Sequence, residues 1–223
     1  MEPLSAPIAD IPFWLLCDTD SLNMTCKSED IVGLYQRRGR EWAGDRGPKL
    51  YEKAWLDRFL ALLPANATIL DLGCGSGEPI GRYLIGNGCS LTGVDSSPEL
   101  IAMCKESFPA QDWHTSDMRT FSIERYFCGI LAWDSFFHLN HSDQRQMFSI
   151  FRDHAAPRAA LMFTSGPSHG EAIGNFRGEA MYHASLDTAE YTELLKVNGF
   201  AVVQHVIEDP TCGRRTIWLS QSQ

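Results

Sequence analysis

The chain has 223 residues, of which 44% are hydrophobic and 21% are charged, and these values are ordinary for one folded globular domain. Its formal net charge of -9 argues against a nucleic-acid substrate, because proteins that bind phosphates usually present a basic face. We therefore expect a small neutral or cationic molecule as partner and no nucleic acid. The sequence leaves both a monomer and a homodimer open.

The cysteine usage and the N-terminus predict a cytoplasmic protein. Seven cysteines are present, an odd number without CxxC spacing, which predicts reduced thiols. They are Cys17, Cys26, Cys74, Cys89, Cys104, Cys128 and Cys212. The apolar run at residues 11–17 is too short for a membrane span and makes a poor signal peptide, so we expect no membrane partner.

The first fifty residues differ in pattern from the rest. Residues 1–50 show little clean periodicity, yet they carry the large side chains Trp14, Tyr35 and Trp42. Over residues 51–63 the apolar positions recur with helical spacing, which predicts an amphipathic helix leading into the first strand. We therefore expect one domain over 51–223, preceded by a helical lid over 1–50 that covers one edge of its sheet.

Short β-type segments then alternate with helical patterns, which predicts a parallel sheet covered on both faces. The predicted strands are residues 68–72, 90–95, 112–115, 128–133 and 159–164. Ser97 is a capping residue for a helix that begins at Pro98, and Asp187 with Glu190 caps a later helix. Residues 200–208 and 215–220, separated by turn residues, predict an antiparallel hairpin at the C-terminal end.

A glycine-rich turn follows the first strand. The sequence Asp71-Leu72-Gly73-Cys74-Gly75-Ser76-Gly77 lets the backbone turn tightly and approach a ligand where a Cβ atom would collide. The dinucleotide pattern GxGxxG fails here, because Glu78 stands at the third required glycine and Pro79 follows it. Carboxylates at Asp71 and Glu78 would repel a pyrophosphate but not a cation. The turn therefore predicts a cationic ligand without phosphate.

This turn resembles the first motif of the class I S-adenosylmethionine-dependent methyltransferases, and further motifs follow in order from Tyr51 to the C-terminal end. The resemblance implies an α/β, Rossmann-like, doubly wound fold. Its mostly parallel seven-stranded sheet would end in an antiparallel C-terminal hairpin, under a helical N-terminal lid. The resemblance also implies S-adenosylmethionine as cofactor, S-adenosylhomocysteine as product, and transfer of a methyl group to an oxygen, nitrogen or sulfur atom of a small-molecule acceptor.

The same resemblance assigns roles at the strand ends. Asp95 and Ser96, after the second strand, would receive the ribose hydroxyls. After the third strand, Asp117 would lie near the adenine amino group and Met118 against the ring. The predicted cofactor-binding residues are Asp71, Gly73, Gly75, Gly77, Asp95, Ser96, Asp117, Met118, Trp133 and Asp134, joined from the lid by Tyr35 and Arg46 at the methionine part.

The acceptor is expected between the ends of the fourth and fifth strands and the lid. Phe136 and Phe137 would form apolar walls there. His138 and His183 are the candidate catalytic residues, because an imidazole titrates near working pH and can act as general base, although either can equally be a structural histidine. Tyr182 would add a polar group. The histidine spacings do not predict a metal site.

Two alternatives remain open at this point. One is another enzyme on the same fold, such as an aminopropyltransferase, which would need several acids near the fourth strand, where Asp134 stands alone. The other is a noncatalytic S-adenosylmethionine-binding protein. The segment Trp133-Asp134-Ser135-Phe136 departs from the Asn/Asp-Pro-Pro-aromatic motif of amino-methylating nucleic-acid enzymes, and no Pro-Cys nucleophile occurs. Both absences from the sequence favour a small-molecule acceptor.

Overall fold

A computed structural model describes residues 26–223. Trp14, Cys17 and the apolar run at 11–17 lie outside the described residues. The helices are α1 Ser28–Arg46, α2 Lys53–Leu60, α3 Ile80–Gly86, α4 Pro98–Ser107, α5 His141–His154 and α6 Thr188–Val197. The strands are β1 Thr68–Leu72, β2 Ser90–Asp95, β3 Asp112–Thr115, β4 Phe127–Ala132, β5 Ala155–Ser165, β6 Gly170–Phe176, β7 Glu179–Ser185, β8 Phe200–Asp209 and β9 Arg215–Ser222. Among these helices, none combines the length and the apolar character needed to cross a membrane.

Seven strands form one sheet in the order β3-β2-β1-β4-β5-β9-β8. The pairs from β3 to β5 are parallel, while β9 runs antiparallel to β5 and to β8. The order reverses at β1 and β4, which is the switch point where α/β sheets open a crevice for ligands. The predicted Rossmann-like, mostly parallel sheet with its antiparallel C-terminal hairpin is therefore confirmed.

Helices cover both faces of the sheet. Alternate residues of each strand point to opposite faces, so each strand contributes to the core on both sides. Ile69 of β1 packs with α2, α3 and α4 on one face, in a cluster that includes Trp55 and Phe59. Leu70 packs with α5 and α6 on the other face, in a cluster rich in aromatic side chains such as Phe148 and Tyr191. Both faces of the sheet are thus packed against helices, and its carboxyl edge is where a ligand can bind.

The predicted ends of the strands and helices agree with the observed ones to different degrees. The predicted β1, β2 and β3 match the observed strands, whereas β4 begins one residue before its predicted start and β5 four residues before. The helix expected over 51–63 is shorter, running over Lys53–Leu60. Its last turn tightens, since the amides of Leu62 and Leu63 bond to the carbonyls three residues earlier.

The hairpin of β6 and β7 was not predicted. The sequence pattern predicts no strand between residues 159–164 and the helix capped by Asp187, but β6 and β7 pair antiparallel from Gly170 to Ser185. Arg177 and Gly178 both have positive φ, 51° and 85°, which is the two-residue turn that suits strand twist. Arginine is an uncommon first residue for such a turn, so the local sequence signal for this hairpin is weak.

The helix α1 and the β6–β7 hairpin pack against each other and together form what we call the cover. A third buried cluster joins them, separate from the two faces of the main sheet. Its buried members are Ile31, Leu34, Phe176, Met181, Tyr182 and Ala184. The hairpin therefore supports α1 from one side, and α1 lies above the carboxyl edge of the sheet.

Candidate functional site

One open cavity of about 1150 Å³, a volume that includes the space at its mouth, lies between α1 and the carboxyl ends of β1 to β4. We call it the cleft. Its size suits a small organic ligand. Every predicted cofactor-binding residue except Gly77 lines the cleft, as does His138. The topology thus brings together residues that lie as far apart in the chain as Tyr35 and Asp134.

The three glycines of the turn after β1 have different environments. A Cβ atom on Gly73 would lie 2.3 Å from the Cβ of Ser135, and one on Gly77 would lie 3.1 Å from Phe108. Gly75, with φ of 57°, has no atom within 4 Å of that position. Gly73 and Gly77 are therefore required for packing. Gly75 instead faces the open space of the cleft.

Asp95 fastens this turn to the end of β2. Its Oδ2 accepts the amide of Gly75 at 2.9 Å, and its Oδ1 accepts the amide of Ser97 at 2.9 Å. Burial raises the pKa of Asp95, and the backbone hydrogen bonds from Ser97 and Gly75 partly oppose that rise. Each oxygen has a further lone pair for a ligand hydroxyl, which is what a ribose offers.

Asp71 lies at the end of β1 with only 4% of its surface exposed. Burial, and secondarily the charge of Asp95, raise the pKa of Asp71 to about 7. Two carboxyl groups in this confined space favour a positively charged ligand, because a cation would stabilise their ionised forms.

On the far side of the cleft, Asp117 and Met118 follow β3. Burial opposes ionisation of Asp117, but the hydrogen bonds from Arg119 outweigh it and lower its pKa. Arg119 also donates to Asp143 of α5 at 2.8 Å, so Asp117 is anchored to a helix. Met118 lines the cleft beside Leu100 with an adaptable apolar surface suited to a flat ring.

Two ion pairs lie at the opposite end of the cleft. Asp134 is held by Arg215 through three hydrogen-bonding atom pairs of 2.7 to 2.9 Å. Arg46, at the end of α1, bonds Glu52 and the carbonyl of Lys49. Arg46 and Asp134 line the cleft, whereas Arg215 and Glu52 are outside its lining.

Tyr35 and His138 form a hydrogen-bonded pair at the wall of the cleft. The Nδ1 of His138 lies 2.9 Å from the carbonyl of Tyr182 and must donate to it, so Nε2 carries the lone pair. The hydroxyl of Tyr35, 3.0 Å from Nε2, is therefore the donor in that bond. Burial lowers the pKa of His138 to about 4, which keeps the ring neutral at physiological pH.

His183 is placed differently from its predicted role. It lies behind His138, with ring centroids 4.8 Å apart, and only 2% of its surface is exposed. His183 and Tyr182 are both outside the cleft lining. Burial, and secondarily His138, lower the pKa of His183 well below its ordinary value. The structure therefore brings His138, and not His183, to the site.

The predicted apolar walls are also corrected. Phe136 is fully buried in the core beneath the site, and Phe137 packs on the two histidines. Both are outside the cleft lining, because the short 3-10 helix over Phe136–His138 turns them inward. Ile31 and Val32 of α1, together with Leu139, supply the apolar wall instead.

Sequence reasoning missed Glu52, Arg119 and Arg215, the three residues that hold predicted site residues in place. Arg119 is two positions from Asp117 and Glu52 is six positions from Arg46, whereas Arg215 lies 81 positions from Asp134. The nearby opposite charges were a local signal for the first two pairs, and the third pair forms only in the folded chain. No three His, Cys, Asp or Glu side chains within residues 26–223 are grouped so as to hold a metal ion.

Comparisons with known proteins agree with this geometry. Residues 69–158 match a family described as "Methyltransferase domain". A malonyl-[acyl-carrier protein] O-methyltransferase of Enterobacter lignolyticus (strain SCF1) is 35% identical over 69 residues, covering 30% of this chain and 27% of that protein. The chain thus aligns with only about a quarter of the length of that curated relative.

Two solved structures are similar over almost the whole chain. A magnesium protoporphyrin IX methyltransferase from Synechocystis PCC 6803, with bound S-adenosylmethionine, has a TM-score of 0.66 and 17% identity, covering 91% of this chain and 100% of that one. The 1,6-didemethyltoxoflavin-N1-methyltransferase of Burkholderia thailandensis has a TM-score of 0.65 and 17% identity, covering 91% and 92%. Residues 69–158 are thus similar to a methyltransferase domain, and the chain shares the Rossmann-like fold of these solved methyltransferases, in agreement with the predicted resemblance.

Proposed function

We propose that this protein transfers the methyl group of S-adenosylmethionine to a small-molecule acceptor and releases S-adenosylhomocysteine. The observation that carries the proposal is the open space above Gly75, next to the carboxylate of Asp95. A nucleoside ligand fits there with its ribose on Asp95 and its base near Asp117 and Met118. The two similar structures were solved with S-adenosylmethionine and S-adenosylhomocysteine, respectively, which supports this cofactor.

The residues present fit the charge of this cofactor as well as its shape. The sulfonium and ammonium groups are cations, and Asp71 and Asp95 supply carboxylates nearby. The methionine carboxylate would meet Arg46. When bound, S-adenosylmethionine supplies an electrophilic methyl carbon, which the lone pair of an acceptor displaces in line from sulfur. Aligning the reactants in this way can supply about 7–11 kcal/mol of the barrier.

We propose that Tyr35 and His138 take the proton that the acceptor loses when it is methylated. The Tyr35 oxygen can accept a hydrogen bond from an acceptor hydroxyl or amine while its own proton is shared with Nε2 of His138. A base whose pKa is about 4 takes a proton only from a group that becomes strongly acidic as the new bond forms. A hydroxyl or a weakly basic nitrogen meets that condition. Thiolates and carboxylates bring no proton and would not need the pair.

The cover is proposed as a lid that closes on the cofactor through Tyr35 and Arg46 of α1, and residues 1–25 of the expected lid lie outside the described residues. Tyr35 and Trp42 pack edge to face with ring centroids 5.5 Å apart, and both line the cleft. For the compartment, we propose the cytoplasm, because the six cysteines within residues 26–223 are free thiols.

The aminopropyltransferase alternative is disfavoured by Asp134. A polyamine would need several carboxylates after β4, but Asp134 is the one acid that follows β4 among the described residues lining the cleft. The noncatalytic alternative differs in one measurable result, since such a protein would bind the cofactor and form no product.

The deciding experiment has two steps. Calorimetry should give binding of S-adenosylmethionine and S-adenosylhomocysteine, with NAD and NADP far weaker. Pools of small hydroxyl and amine acceptors should then yield S-adenosylhomocysteine, with the methylated product identified by mass spectrometry. Tight binding of NAD would contradict the cofactor assignment. Cofactor binding without product from any pool would favour the noncatalytic alternative.

A further inference from the structure

Four charged side chains form a buried network at the end of the cleft nearest the C-terminus of α1. Two of them, Arg46 and Asp134, line the cleft, and two, Glu52 and Arg215, stand behind them. The exposed fractions of the side chains are small, at 11% for Arg46, 2% for Glu52, 16% for Arg215 and 19% for Asp134. The network has no net charge, yet it presents one cation and one anion to the cleft.

Each cleft-facing charge is oriented by the opposite charge behind it. Arg46 donates to Glu52, which is almost fully buried. Asp134 is gripped by the planar fork of Arg215, the geometry that fixes a carboxylate most firmly. Burial raises the pKa of Glu52, Arg46 opposes that rise, and the charges of Asp134 and Arg215 also act on it. The two pairs are therefore close enough to act as one unit.

The backbone at Asp134 indicates that this arrangement is imposed. Its φ is 49°, in the left-handed region that is unfavourable for a residue with a Cβ atom. Arg215 holds its carboxylate, and the hydroxyl of Thr164 accepts its amide at 2.9 Å. Such a conformation persists only where the surroundings enforce it. Asp134 is thus held in a fixed orientation at the cleft.

We propose that Glu52 and Arg215 are positioning residues that orient Arg46 and Asp134 to bind the carboxylate and the ammonium group at the amino-acid end of the adenosyl ligand. The inference rests on the proposed function. It adds that recognition of the amino-acid end depends on two buried residues outside the cleft, one from the segment before α2 and one from the last strand.

A pair of ligands tests this directly. S-adenosylhomocysteine and 5′-methylthioadenosine share the adenosine and the thioether, but only the first has the amino-acid end. Calorimetry on wild-type protein should give tighter binding of S-adenosylhomocysteine. Glu52→Gln should weaken S-adenosylhomocysteine by about tenfold, because Arg46 loses its charged partner, while 5′-methylthioadenosine stays within about twofold. Arg215→Gln should have the same selective effect, and Arg215→Lys a smaller one, because lysine keeps the charge without the fork.

Two controls separate positioning from folding. Arg145→Gln breaks an ion pair with Glu190 on the outer surface and should leave both affinities unchanged. If Glu52→Gln and Arg215→Gln fail to fold, Arg215→Lys decides, because it keeps the buried charge and both cleft-facing residues and should still weaken S-adenosylhomocysteine more than 5′-methylthioadenosine.

Equal weakening of both ligands, or no change in either, would overturn the proposal. So would wild-type protein that binds the two ligands equally tightly, although the proposed function would then still stand. Wild-type protein that binds neither ligand would instead contradict the proposed function itself.

Discussion

The floor of the cleft is built from backbone at the ends of four buried parallel strands, whereas its cover is a helix and a hairpin that meet through side chains. In the floor, the amides of Gly73 and Gly75 donate to the end of β2, to the carbonyl of Val94 and the carboxylate of Asp95. In the cover, Leu34 and Met181 share a small apolar cluster, and exposed ion pairs add to it. The floor therefore suits an invariant ligand part, and the cover suits a part that varies.

Gly75→Val should have the largest effect, because its side chain would occupy the space kept open for the ligand. We expect binding of S-adenosylhomocysteine to weaken at least about 100-fold, equivalent to about 2.7 kcal/mol at 1.36 kcal/mol per factor of ten. Calorimetry measures the affinity, and thermal unfolding measures the stability.

Gly199→Val is the matched control. Gly199 also has a positive φ, 82°, with no atom within 4 Å of its Cβ position, but it lies at the end of α6 and outside the cleft lining. It should lose similar stability and keep its affinity. Equal affinity in both variants would mean that the ligand does not lie over Gly75.

Tyr35→Phe and His138→Ala test whether these two residues accept a proton from the acceptor. If the acceptor brings a proton, we expect kcat to fall about 100-fold or more in each, the range for a general base, with cofactor affinity within a few-fold. Because the pKa of His138 is about 4, wild-type kcat should not fall through protonation of this ring between pH 8 and 5. The half-buried His205 on β8 offers His205→Ala as control. Wild-type turnover in both cover variants would remove the assignment.

The raised pKa of Asp71 makes both the stability of the protein and its affinity for the cofactor depend on pH. Its pKa of about 7 is raised above the ordinary 3.8, so the folded protein binds more protons than the unfolded chain between those values and loses stability as pH rises through that window. The ionised form suits a cationic ligand. Affinity for S-adenosylmethionine should therefore fall as pH drops below about 7, by at most about tenfold per unit.

Asp71→Asn should remove that pH dependence and weaken binding at pH 8. Without ligand, it should raise the melting temperature at pH 8 more than at pH 5, because only the ionised carboxyl is destabilised by burial. Calorimetry and thermal unfolding at the two pH values measure both effects. A pH-independent affinity in the wild-type protein would contradict this account.

The smallest effect is expected at the surface of the cover. Glu179 pairs with Arg37 and Arg38 of α1, but all three side chains are substantially exposed. Glu179→Gln should therefore change the melting temperature by less than about 2 °C, since exposed ion pairs contribute little. Trypsin cleavage after the α1 arginines should slow when S-adenosylhomocysteine is added, in the variant as in the wild type. Unchanged cleavage on adding ligand would argue against closure of the cover.

The same contrast explains what sequence reasoning could reach. The strands β1 to β3 and the residues after them were predictable, because strand pattern, glycine spacing and a capping serine are local signals. The β6–β7 hairpin was missed, since Arg177 is an unusual residue for its turn. The pair Arg215–Asp134 could not be predicted, because its members are 81 positions apart in sequence and meet only in the finished fold.

The base of the hairpin has a consequence for engineering. Gln144 of α5 donates to the carbonyl of Ala184 at 2.9 Å and accepts from Tyr191 at 2.6 Å, and both polar side chains are fully or almost fully buried. The stem of the hairpin is thereby locked to α5 and α6, while its turn reaches out to α1. A hairpin with a different turn and outer strand could be grafted between the same two stem ends, changing how α1 is supported above the cleft and leaving the glycine-rich floor untouched.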